Sequence, residues 1–514
     1  MNLCNLWIRK RPNVKLLDQL DELKNQFTPD TARRVERLLD QVSRQKFNDT
    51  DSLVRYHEIL LFLRAYPQNA AMVRATEEEL RGFADRVRTL EKQDVNIGPL
   101  EHPDVSGIAG TSVTDTFSFY IVRWLLQRPA EVAIYWEWVE DVNRLAATWP
   151  RFMPLLEEDA FAEASVPYRE WLAAARKDRN ELAWLIEQFN KLPKPENERA
   201  ELYDSQNLYV QWTPAFQVTR TGMRSPTRKP FYHRGPLIQR RDVDLREELV
   251  QALTLEKLSL PQGEQAIDMA RAASTIRYRE LYGFTHADPK HVYGMDLGRG
   301  VELFLMGLPA ERRLPLRTYH AAMIYKNGVP IGYFEGLSLF ERMEGGFNLY
   351  YTFRDGETAW LYARVLNVMH RHTGVTAFSL DPYQIGHENE EGIESGAFWF
   401  YRKLGFRPVR KEAMELTLKE EENLKTRKGY RTPAATLRKL AASPMIFELD
   451  KDRRGDWDRF QVRKIGFKAQ RDKKVLSIIR NITQAKTVAA EEVTYLRRMQ
   501  KDEKLRRAVI EMGS

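Results

Sequence analysis

Asn327-Gly328 stands between two apolar runs, residues 318–325 and 329–339. A two-residue Asn-Gly loop accepts the left-handed backbone that a tight hairpin requires, and its twist matches that of the flanking strands. Residues 318–339 are therefore predicted to fold as an antiparallel pair, and the segments around it must build on that pair. Glu344-Gly345-Gly346 predicts the next turn, and residues 347–353 a third, aromatic strand. A polar loop with one glycine, Gly356, then opens a predicted helix over 359–370. Residues 375–380 form a short apolar run of the buried-strand kind. Ala397, Phe400, Tyr401 and Leu404 recur at helical spacing and share one face. Gly405 follows where a left-handed residue ends a helix, and residues 407–409 begin a last strand. Residues 301–308 supply a strand ahead of the hairpin.

The segment Glu394-Ser-Gly-Ala397-Phe-Trp-Phe400-Tyr401-Arg-Lys-Leu-Gly405-Phe406 resembles the last helix of the GNAT acyltransferase superfamily. That helix usually reads N-x-x-A-x-x-[LF]-Y-x-x-x-G-F, and Glu394 stands here in the place of Asn. Over residues 299–417 the order of strand, hairpin, strand, loop, helix, strand, helix, strand is similar to the family's core. The family's loop before its first core helix reads [QR]-x-x-G-x-[GA]. With Gly356 in the middle the flanking slots are Phe353 and Thr358, while Arg354 and Ala359 are each displaced by one residue. Only residues 309–317 separate the first strand from the hairpin. The two helices that the family places there are expected upstream, over 264–281, or lost.

This resemblance implies transfer of an acyl group, usually acetyl from acetyl-CoA, to an amine. It implies that Phe353, Arg354, Asp355, Gly356, Glu357, Thr358 and Ala359 hold the donor's pyrophosphate. The positive end of a helix and its free N–H groups suit that task. Tyr401 matches the family's acid for the departing thiolate. A base must take the amine proton, and Glu335, Asp381 and Glu394 are the nominated carboxylates. The acceptor amine is not identified. The alternative is a non-catalytic GNAT-like scaffold whose helical domain and basic tail bind a protein partner or nucleic acid.

The expected architecture is multidomain, α plus α/β. It comprises an all-helical domain over 1–200, an irregular basic connector over 201–262, a GNAT-like mixed sheet with flanking helices over 263–420, and a basic, mostly helical region over 421–514. In the first domain Leu17, Leu20, Leu23 and Phe27 form one stripe. Asp30-Thr31 is positioned to cap a helix carrying Val35, Leu38, Leu39 and Val42. Trp124, Trp136, Trp138, Trp149, Trp171 and Trp184 suit a bundle core. Arg220, Arg224, Arg228, Lys229, Arg234, Arg240 and Arg241 make the connector basic, which reads as a solvated loop or a phosphate-binding arm. Residues 457–514 hold 15 Lys and Arg against 7 Asp and Glu, an excess equal to the chain's net charge of +8. Their apolar stripe, Val475, Ile478, Ile479 and Ile482, gives an amphipathic helix able to meet nucleic acid or an acidic partner.

No run of about twenty apolar residues is present, so no transmembrane segment is expected. The single cysteine, Cys4, fits a reducing cytoplasm. His387, Glu388, Glu390 and Glu391 lack metal-ligand spacing, so no metal is expected. His370 and His372 lie at a helix end, where cations suit the dipole.

Overall fold

A computed structural model describes residues 15–513, except 154–156, 159–162, 164, 226–229, 315, 452–453, 456, 459–461 and 485–490. The predicted hairpin is present as β7 (Thr318–Lys326) and β8 (Val329–Leu339), joined by Asn327 at φ 48° and Gly328 at φ 80°. The strands around it are β4 (Glu256–Lys257), β5 (Val292–Gly298), β6 (Val301–Met306) and β9 (Arg342–Leu349). β10 (Ala377–Leu380), β11 (Arg407–Pro408) and β12 (Met445–Glu448) complete a nine-stranded sheet in the order β11-β12-β10-β9-β8-β7-β6-β5-β4. All neighbours are antiparallel except β9 and β10. Helix Thr358–Thr373 makes the crossover between those two, as parallel pairing requires.

The turn expected at Glu344-Gly345-Gly346 is instead the middle of β9, and the chain reverses at Phe340-Glu341, with Phe340 at φ 51°. These glycines serve close packing. A Cβ on Gly345 would lie 2.7 Å from the Phe334 ring, and one on Gly336 2.6 Å from the Met343 sulfur. The last strand is a second correction. β12 falls inside the region expected to be a helical tail, and it inserts between β10 and β11 with all four residues buried. A four-residue apolar run without flanking alternation carries little period to read.

The region 1–200 is not all-helical. β1 (Val113–Asp115) and β2 (Glu131–Ile134) pair with β3 (Val210–Thr213) from the supposed connector, in a three-stranded sheet of order β1-β3-β2. Strands of three and four residues hold too few repeats to declare themselves. The region also divides into two layers. Helices Lys15–Leu23, Pro29–Ser43 and Thr50–Ala65 pack with Ala322, Ile324, Ile331 and helix Thr358–Thr373 on one face of the large sheet. Val113, Phe119, Trp149, Leu185 and Trp212 pack with Ala321, Met323, Tyr325 and helix Leu260–Thr275 on the other. That helix supplies the expected upstream helical stretch, and β5 falls between it and β6. Trp124, Trp149 and Trp184 are core residues as expected, whereas Trp138 is exposed. The second helix begins two residues earlier than expected: Thr28, not Asp30-Thr31, caps it by accepting the Thr31 N–H.

The connector straps these layers together. Arg220 is buried on Glu58 at 2.7 Å, Arg224 pairs with Glu77 at 2.8 Å, and Ser225 donates its N–H to Gly328 in the hairpin tip. Cys4, Arg228 and Lys229 lie outside the described residues, as does the Ile482 side chain. In the tail, helices Lys473–Gln484 and Glu492–Lys501 bury Val475, Ile479, Leu496 and Met499, while Lys473, Lys474 and Lys501 are exposed. Among the described residues no helix is long and apolar enough to cross a membrane.

Candidate functional site

β9 and β10 pair through only three residues each, Arg342–Glu344 with 377–379. β9 then runs on to Leu349 while β10 ends at Leu380, so residues 345–349 of β9 extend past their parallel partner, and this margin forms a fork at the end of β10. Gly346 lies in the stretch of β9 beyond β10, and the Gln384 amide is 3.7 Å from the place of its absent Cβ. One side of the fork is walled by aromatic rings: Tyr362 lies 5.2 Å from Phe347, 5.5 Å from Tyr401 and 6.2 Å from Phe406.

Tyr401 comes from helix Ala397–Lys403, which Gly396 opens at φ 69° and Gly405 follows at φ 101°. Its buried stripe is Phe398, Tyr401 and Leu404, rather than the expected set with Ala397 and Phe400, which are half-buried. Tyr401 is 5% exposed, and its hydroxyl has no hydrogen-bond partner among the described residues. Burial pushes that hydroxyl well above the ordinary tyrosine range, and the Arg354 charge offsets this in part. The Tyr401 hydroxyl is therefore neutral at pH 7.

The loop expected to cradle a pyrophosphate is filled by protein. A Cβ on Gly356 would lie 2.2 Å from the Tyr66 hydroxyl. Glu357 stands just before helix Thr358–Thr373, and its side chain, 2% exposed, makes no capping bond to that helix; its carboxylate is held instead by Lys326 at 3.4 Å, by Arg299 and by the Ile238 N–H at 3.1 Å. Burial lowers Lys326 to about 7, with the Glu357 carboxylate opposing that fall. Of the other loop residues, Phe353 and Ala359 are buried, Asp355 meets Lys24 at 3.3 Å, and the Thr358 hydroxyl donates to the Arg354 carbonyl. Arg354 and Asp355 are exposed, and Arg354 reaches outward to Glu391. An incoming phosphate would have to displace Tyr66 and face the Glu357 charge.

The nominated carboxylates lie apart in character. Glu335 is on β8, opposite Gly346 of β9, and accepts a hydrogen bond from the Tyr319 hydroxyl. Asp381 follows β10 and caps the next turn by accepting the Tyr383 N–H at 2.9 Å. Glu394 is exposed at the end of helix Glu390–Glu394. Glu390 and Glu391 are paired with Arg438 and Arg354, and no metal-binding cluster occurs among the described residues. His372 departs from its expected role as a cation: burial lowers it to about 4, so it is a neutral core residue at pH 7.

Sequence spacing did not anticipate a cavity of about 160 Å³ beside the end of β9. Tyr333 and Glu335 alternate to the same face of β8, and Tyr333 pairs in register with Asn348. Tyr333, Asn348 and Tyr350 line the cavity with Arg220, Arg277 and Arg279. Arg279 donates to the Tyr333 hydroxyl at 3.3 Å, and the Arg277 guanidinium lies 4.0 Å over the Tyr350 ring. These residues come from segments over fifty positions apart, so no local motif joins them. A larger cavity of about 750 Å³ runs along β5 and β6, lined by Met269, Gln265 and Phe304. It contains none of the nominated residues.

No protein-family model, curated protein or solved structure matches this chain.

Proposed function

We propose that this chain is an N-acyltransferase of the GNAT kind, taking its acyl group, acetyl in the first instance, from an acyl-CoA. The observation that carries this reading is the fork: a parallel pair of only three residues beyond which β9 runs on alone, with the Tyr401 helix following the shorter strand and β12 inserted before β11. A thioester arm entering the fork would meet β9 backbone freed from β10. The acceptor amine attacks the thioester carbon, Glu335 takes the amine proton, and Tyr401 protonates the departing thiolate. Tyr401 carries its proton at neutral pH, as an acid must, and burial makes it hold that proton more firmly. The donor's phosphates would lie at Arg354, on the outer side of the loop, rather than at the plugged helix start.

A second reading has its own support. Tyr66 and Glu357 close the helix start that acyl-CoA proteins leave open, which favours a scaffold without donor binding. Its exposed tail cations, among them Lys464, Lys468 and Arg471, would then serve an acidic partner or nucleic acid. Thermal unfolding separates the two. On the acyltransferase reading, millimolar acetyl-CoA raises the melting temperature by mass action. An unchanged melting temperature favours the scaffold.

A further inference from the structure

The cavity beside Tyr333 contains charge that the protein does not neutralise. Four arginines line it, Arg220, Arg277, Arg279 and Arg354, against the carboxylates of Glu58, Asp104 and Glu391, which leaves one net positive charge. Arg220 is paired with Glu58 and Arg354 with Glu391. Arg277 is 6% exposed and carries no ion pair. Its one hydrogen bond runs from Nη1 to the Ala273 carbonyl, and its buried Nε is unpartnered. The Tyr350 hydroxyl is likewise buried without a partner. Burial lowers Arg277 to about 10, an unusual position for a guanidinium that a counter-ion would relieve. Buried polar groups are normally satisfied, so orphaned donors around one small cavity point to a missing ligand.

A single net positive charge suits a monoanion, and a guanidinium suits the planar carboxylate best. Glu335 lies on the same face as Tyr333, two residues along β8, where a proton acceptor would meet an amine. We infer that the cavity binds the carboxylate of the acceptor, through Arg277, Arg279 and Tyr333, and that the acceptor is an amino acid. The amine half of this inference rests on the acyltransferase reading; the carboxylate half does not.

The test is thermal unfolding of the full chain without acyl-CoA. The common L-amino acids are added singly at millimolar concentration, each beside its decarboxylated amine, with inorganic phosphate as a further probe. At least one amino acid is expected to raise the melting temperature by about 2–5 °C at saturating concentration, and its decarboxylated amine is not. Arg279→Gln, at an exposed position, and Tyr333→Phe should each lose most of that rise while folding normally. No rise with any amino acid, an equal rise with the decarboxylated amine, a rise with phosphate alone, or an undiminished rise in both variants overturns the inference. An amino acid that binds in this way but is never acylated leaves the carboxylate site standing and removes the acyltransferase reading.

Discussion

Tyr66 and Gly356 fit together as knob and socket. A methyl group on Gly356 would approach the Tyr66 hydroxyl to 2.2 Å and its ring to 2.6 Å. The first helical layer thus presses a side chain into the start of helix Thr358–Thr373, and glycine is the only residue that leaves the room. Gly356→Ala is expected to cost about 1–3 kcal/mol through overpacking, seen as a lower denaturation midpoint. Unchanged stability would contradict the close contact. For the same reason a bulky residue at 356 reports on packing before it reports on phosphate.

Tyr401→Phe separates chemistry from structure. The hydroxyl makes no hydrogen bond within the described protein, so its loss should change stability by less than about 1 kcal/mol. If Tyr401 protonates the leaving thiolate, turnover should fall roughly 10²–10⁴-fold. A large loss of stability with turnover intact would make Tyr401 a structural residue.

Asn327 holds the hairpin tip in the helical layer. Its side-chain N–H groups donate to Ala65 at 2.8 Å and Phe231 at 3.0 Å, and its oxygen accepts the Phe231 N–H at 2.8 Å. Asn327→Ala removes all three and places alanine at φ 48°. A loss of about 2–4 kcal/mol is expected. A loss below about half a kcal/mol would show that the tip is not a clamp.

Glu492 gives a pH dependence. It begins the helix that docks the tail on the sheet, accepting the N–H groups of Tyr319 at 2.7 Å and Leu308 at 3.0 Å. Burial raises its carboxyl to about 7, and these two bonds with Arg313 only partly oppose the rise. The folded protein therefore holds this proton more firmly than the unfolded chain. Its contribution is complete below the unfolded value of 4.5 and is lost as pH rises through about 7. Between pH 5 and 8 the wild type should lose stability, up to roughly 3 kcal/mol from this group, and Glu492→Gln should lack that slope. The same slope in both proteins would refute the assignment.

The hairpin was legible because Asn327-Gly328 demands a turn from two residues alone. Helix Thr358–Thr373 and the Gly405 stop were legible because caps and periodicity are local properties. Gly345 misled because a glycine needed for space under Phe334 looks the same in sequence as one needed for a turn. β12 was missed because four residues carry almost no period, and its place between β10 and β11 depends on long-range pairing. At the site, Tyr401 was nominated from the pattern of one helix, whereas no spacing singled out Glu335 among the nominated carboxylates. The plug at Gly356 was missed, because Tyr66 lies 290 positions away. Arg277 and Arg279 escaped notice for the same reason: a cavity wall assembled from distant segments leaves no spacing to recognise.

The most direct test of the account is release of CoA thiol from acetyl-CoA by the full chain, measured with the amino acids as acceptors, in wild type and in Tyr401→Phe. The account predicts acceptor-dependent thiol release by the wild type and a fall of roughly 10²–10⁴-fold in the variant. No acceptor-dependent release, or equal release by the two proteins, would contradict it.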